Sequence, residues 1–196
     1  MKKLLVLVVL VLAAMPAVAG VAKDEKAGTK AGKPYFEASE KTTEQATVIK
    51  LAKATREVTL RSEDGDTLSV VAGAEVKNFA QIKVGDLVKV TYTERLTIHV
   101  EAPGTPEMVE ETMTGAAKLG EKPSGSMTER TQYKATITAI DKKLGTATLK
   151  GYDGEEFVVT PLHPENLDRV KIGELVVFTY TEAVAARVEK VPAKKK

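Results

Sequence analysis

One stretch of this chain occurs twice. Val84-Gly85-Asp86-Leu87-Val88-Lys89-Val90-Thr91-Tyr92-Thr93-Glu94 returns as Ile172-Gly173-Glu174-Leu175-Val176-Val177-Phe178-Thr179-Tyr180-Thr181-Glu182. The closing Thr-Tyr-Thr-Glu is identical in both copies. The flanking sequence aligns at a spacing of about 88 residues, the mark of a duplicated structural unit. A unit of roughly 55 to 60 residues is near the lower limit for an independent core, so the two copies have reason to depend on each other.

Each copy reads as a run of short strands. In the first, Ala46-Thr47-Val48-Ile49-Lys50-Leu51 opens the unit, and Glu57-Val58-Thr59-Leu60-Arg61 alternates polar and apolar as a half-buried strand does. Glu63-Asp64-Gly65-Asp66 supplies a hairpin turn. Thr67-Leu68-Ser69-Val70-Val71 alternates again, and Asn78 can cap a single helical turn. Residues 86–93 and 96–100 read as the fourth and fifth strands. The second copy repeats this order over residues 133–188, with a turn at Tyr152-Asp153-Gly154-Glu155. Five strands with a helical segment between the third and fourth is the plan of an OB-fold barrel. The expected fold is therefore all-β: two tandem five-stranded OB-like barrels, over residues 44–101 and 131–190. Inward positions share the parity of Val88, Val90 and Tyr92 in the first copy, with Val58, Leu60, Leu68, Val70, Ile98 and Val100. The second-copy set is Val176, Phe178, Tyr180, Leu149, Phe157, Val159 and Val188. The barrels would be joined by a linker over 102–130. There Thr105, Pro106 and Gly120 bracket a short helix carrying Val109, Met113 and Ala116 or Ala117 on its apolar side.

The ends read differently. Lys2 and Lys3, the apolar run 4–12 and Ala17-Val18-Ala19 form a cleavable signal peptide over residues 1–19. The run is too short to span a bilayer, so no membrane span is expected. Residues 20–43 are polar, without periodicity, and read as a disordered lead-in. Residues 191–196 are a basic tail. The chain has 29 Lys and Arg against 27 Asp and Glu, and two of the lysines lie in the leader, so the mature chain is formally neutral. With aromatics at 5% and no basic footprint, nucleic-acid binding is disfavoured. The absence of cysteine removes disulfides, thiolate chemistry and lipid attachment at the cleavage point. A periplasmic location follows, secretion being the other outcome of export.

Lys83-Val84-Gly85-Asp86-Leu87-Val88 resembles the fourth-strand segment of the small OB-fold periplasmic copper chaperones of Cus-type efflux, and Ala46-Thr47-Val48-Ile49 resembles their first strand. The resemblance implies an OB fold. It does not carry a metal site, because that family binds Cu(I) or Ag(I) through one His, two Met and a Trp. This chain has no Trp, and it has an acidic turn where the Met-rich motif would lie. The overall arrangement is similar to exported tandem β-barrel proteins of proteobacteria of unknown function.

Candidate chemistry is sparse. His99 and His163 are the only histidines, and no nucleophile–base set is legible around them. Met108, Met113 and Met127 are possible soft ligands, more simply read as packing and surface residues. The carboxylates of Asp64 and Asp66, and of Asp153, Glu155 and Glu156, are too few in each turn for calcium. Tyr92, Glu94, Tyr180 and Glu182 stand out because both copies keep them. They could orient a ligand at a barrel mouth. Alternatively each Tyr closes a barrel with its hydroxyl satisfied, and the structural alternative is favoured. No catalytic, cofactor-binding or metal-ligating residues are assigned. The functional expectation is a non-enzymatic exported module that binds an envelope protein, a glycan or a small ligand. The second reading is a periplasmic Cu/Ag carrier.

Overall fold

The computed structural model describes residues 22–74, 76–118 and 121–189. The segments read as a signal peptide (1–19) and a basic tail (191–196) lie outside them. The fold is all-β. Its strands are β1 (Ala22–Lys30), β2 (Lys33–Ala52), β3 (Glu57–Ser62), β4 (Thr67–Val71), β5 (Leu87–Glu101), β6 (Met108–Ala116), β7 (Ser124–Asp141), β8 (Thr146–Lys150), β9 (Glu156–Val159) and β10 (Leu175–Glu189). Short 3-10 turns at Phe79–Gln81 and Pro164–Arg169 precede β5 and β10. The chain is thus one six-element pattern used twice, β1 to β5 and β6 to β10.

All ten strands join in one antiparallel sheet of order β4-β3-β2-β5-β10-β7-β8-β9, with β1 on β2 and β6 on β7. This corrects the expectation of two separate barrels: the sheet is continuous and does not close. The reason lies in β5. Residues 86–93 and 96–100, read as two strands, are one strand. No turn former interrupts them, and the parity of Val88, Val90 and Tyr92 runs unbroken through Leu96, Ile98 and Val100. A strand of fifteen residues is about 50 Å long, too long for one small core. It runs from one repeat into the other, where it pairs along its whole length with β10.

The linker helix is also corrected. The segment forms β6, paired to β7 from Met108 opposite Tyr133 to Ala116 opposite Gly125. Its Val109, Thr112 and Thr114 are β-branched, which favours an extended chain over a helix. The residues expected to be a disordered lead-in form β1 and the start of β2, a hairpin turning at Ala31 and Gly32, both with positive φ. The lead-in and the linker are therefore the same element in the two copies, the hairpin that opens each repeat.

Two cores sit at opposite ends of the β5–β10 pair. One gathers Val48, Val58, Phe79, Ile82 and Val88 with Val188 from the second repeat. The other gathers Tyr133, Ala135, Ile137, Leu149 and Phe178, with Ile98 of the first repeat packed against them. Each core is completed by the far end of the other repeat's long strand. The opening hairpins cross over as well. The Asn78 amide donates to the carbonyls of Lys118 and Glu121 at 2.8 and 2.9 Å, holding the tip of the second hairpin at the first core. Lys33 Nζ reaches the Arg169 carbonyl at 3.1 Å and Glu174 Oε1 at 2.6 Å, holding the first hairpin at the second core.

The repeated Gly-Asp and Gly-Glu close identical turns. Gly85 and Gly173 both have φ of 93°, a conformation costly to any residue with a Cβ. Their N–H groups donate to Val48 and Ile137 at 2.8 Å. The carboxylates of Asp86 and Glu174 accept from the N–H of Lys83 and Lys171 at 2.9 and 3.0 Å. The repeated Lys-x-Gly followed by Asp or Glu thus has a scaffold role in this chain.

Candidate functional site

The repeated Tyr-Thr-Glu segments meet each other. Register places Glu94 opposite Glu182, Tyr92 opposite Val184 and Tyr180 opposite Leu96. Tyr92 donates to Glu182 Oε1 at 2.8 Å and Tyr180 to Glu94 Oε1 at 2.5 Å. Each repeat's tyrosine is bonded to the other repeat's glutamate around a local pseudo-dyad. The expectation that each ring lies buried in its own barrel is corrected. Both rings are half-buried and stand at the seam between the repeats, away from either core. Burial above all, then the adjacent carboxylates, hold both hydroxyls well above the usual tyrosine value. They are thus permanent donors, unsuited to act as bases or nucleophiles near neutral pH.

The seam contains a feature that sequence reading missed. Glu40 pairs with Glu94, Glu94 with Glu182, and Glu182 with Glu129, so four glutamates stand in one row across four adjacent strands. Facing like charges are unfavourable, and the two tyrosines offset them in the middle of the row. Only the register reveals the row, since Glu40 and Glu129 lie in segments read as lead-in and linker.

The other sequence candidates do not assemble into a site. Met108 packs on the second core while Met113 and Met127 are exposed. Met108 sits opposite Tyr133, six residues along β7 from Met127 and so about 20 Å away. The Asp153 carboxylate accepts the Glu155 N–H at 3.1 Å as a turn residue does, and Ser62 Oγ accepts the Asp66 N–H at 3.1 Å. Among the described residues no group of three or more His, Asp or Glu is placed to hold a metal ion.

Concave apolar surface exists at both ends, in pseudo-equivalent places. At the first core a cleft of about 420 Å³ opens between β3, β4, the loop 72–76, the start of β7 and the end of β10. Arg56, itself at φ 58°, fixes one lip. Its guanidinium donates to the carbonyls of Ala72, Gly73 and Val76 at 2.6 to 2.9 Å and lies 4.6 Å from the Phe79 ring centre. Leu68 and Val70, expected inside, are 61% and 38% exposed on β4, an edge strand of the sheet, and Val70 lines this cleft. At the second core the equivalent cavity is about 160 Å³. In the same core Tyr133 packs against Tyr152, Phe157 and Phe178 with ring centres 5.8 to 6.4 Å apart. Burial, followed by the charges of Asp153 and its neighbours, pushes the Tyr133 hydroxyl up to about 12. Both histidines line the second cavity, His99 from the first repeat and His163 from the second. The alternation that sets Ile98 and Val100 inward predicts an outward His99.

The chain matches no protein-family model, no curated protein and no solved structure. No helix among the described residues is long and apolar enough to cross a membrane.

Proposed function

We propose that this protein is an exported, non-enzymatic binding module with one OB-like binding unit at each end, each completed by the other repeat. The observation that carries this reading is the pair of pseudo-equivalent apolar hollows, each walled by strands of both repeats. Pockets with a mostly apolar lining and a few polar groups are the usual sites of ligand capture. The seam tyrosines line neither hollow and are held protonated against carboxylates, which supports binding over catalysis. Export rests on the leader at residues 1–19, and the proposed ligands are those of the cell envelope.

An environment-sensitive apolar dye titrated into the mature protein tests the reading. Fluorescence should rise saturably. Val70→Asp, which sets a charge on the partly exposed edge strand at the larger cleft, should remove a discrete part of the response. A parent protein that leaves the dye dark would overturn the proposal.

A further inference from the structure

The smaller cavity carries a more specific inference, which rests on the binding reading above. Its floor is formed by the buried Ile137, Leu149 and Phe178. Its volume of about 160 Å³ is close to that of an apolar cavity able to take up benzene, about 150 Å³. The rim is polar. Tyr35 and His99 come from the first repeat, and Thr160, His163 and Asn166 from the second.

Comparison of the two ends isolates one group on that rim. Asn78 and Asn166 each stand five residues before the lysine of the repeated turn. The Asn78 amide is fully used, holding two carbonyls of the opposing hairpin tip. At the other end Lys33 does that work. The Asn166 amide makes no side-chain hydrogen bond among the described residues, and Asn166 is part of the cavity lining. Apart from the Thr160 hydroxyl, the other rim groups are already engaged. His99 Nε2 meets Glu101 at 3.0 Å and His163 Nδ1 meets Glu165 at 3.1 Å, while the Tyr35 hydroxyl donates to Glu37.

Charge decides the ligand class. Among the described residues no Asp, Glu, Lys or Arg lines the cavity. An ion buried there would lose hydration without a counter-charge. We propose that this cavity binds a small uncharged molecule with an apolar body of about benzene size and one carbonyl group, which the Asn166 amide holds by donating to it.

Four isosteric probes test this on the mature protein by calorimetry: benzamide, benzoate, benzylamine and toluene. Benzamide should bind about tenfold or more tighter than either ion, given the cost of burying an unpaired charge. Asn166→Ala should weaken benzamide by about tenfold, as expected for one lost hydrogen bond, and leave toluene unchanged. Ala27→Trp places a large ring at the mouth from an exposed position of β1, and should abolish binding of both while the fold stays intact. The proposal is overturned if benzamide gives no heat at millimolar concentration, if benzoate or benzylamine binds more tightly, or if either substitution leaves benzamide binding as in the parent. The dye response that depends on Val70 separates the two readings. If it persists while benzamide fails, only the ligand class falls. If both are lost, the binding-module reading falls with it.

Discussion

Glu94 and Glu182 stand directly opposite each other on β5 and β10, and each accepts the hydroxyl proton of the tyrosine from the other repeat. The duplicated motif therefore binds its own copy. Its identity in the two repeats has a physical reason: in a pseudo-twofold seam each copy must supply both the donor and the acceptor.

Removing one hydroxyl tests that seam. Hydrogen bonds to charged acceptors contribute about 1.5 to 3 kcal/mol. The half-exposed position argues for the lower end. Tyr92→Phe and Tyr180→Phe should each cost about 1 to 2 kcal/mol in urea unfolding. The double variant should cost more than the sum, because Glu94 and Glu182 then face each other with neither tyrosine donor. Strict additivity would show that the two bonds are independent and the seam is not a unit.

The glutamate row gives the opposite sign. Glu40 and Glu129 extend it on either side and receive no tyrosine. Glu129→Gln should stabilise the protein by about 0.2 to 1 kcal/mol, whereas Glu40→Gln should gain less, because Lys23 stands opposite Glu40 on β1. The gain should shrink at high salt, where the parent's repulsion is screened over a few ångströms. A destabilising outcome would mean that these carboxylates have favourable partners.

Lys33 and Glu174 make the fold pH-sensitive at one end. Burial pushes the Glu174 carboxyl up. The Lys33 ammonium and the Lys171 N–H pull it down further, leaving it below the usual glutamate value. Because the folded value is depressed, the contribution to stability is fully present above the ordinary glutamate range, about 4.3. It is lost as pH falls through the depressed value. Lys33→Met should destabilise by about 1 to 3 kcal/mol at neutral pH, and the difference from the parent should narrow once acid protonates the carboxyl. A difference that stays constant from neutral to strongly acidic solution would remove the ion pair as its cause.

The strands of each repeat's body were legible because their signals are local: alternation in Glu57-Val58-Thr59-Leu60, Asp-Gly turns, and glycines at the positive-φ corners. What escaped was everything that depends on the partner repeat. β1 and β6 have no apolar stripe of their own, since they lie on the outer sides of β2 and β7, and so read as lead-in and linker. Residues 86–93 and 96–100 were divided because a single small barrel cannot use a fifteen-residue strand; two repeats sharing a sheet can. Tyr92 and Glu94 were recognised from duplication, but their partners could not be, because the pairing runs across about 90 residues of sequence.

The two ends differ in packing, and that difference yields the last prediction. Leu149 is completely buried in the aromatic core of the second repeat. Its counterpart Leu60 is only partly buried against the first core, and Leu68, opposite Leu60 on the edge strand, is 61% exposed. Leu149→Ala should cost about 2 to 5 kcal/mol, whereas Leu68→Ala should fall within about 0.5 kcal/mol of the parent. The loss caused by Leu149→Ala should not stay at one end. β5 and β10 pair along their whole length, and each contributes to both cores, so both repeats should melt in one calorimetric transition at a lowered temperature. Two separated transitions, with only one moved by Leu149→Ala, would show that the repeats fold as independent units despite the shared seam.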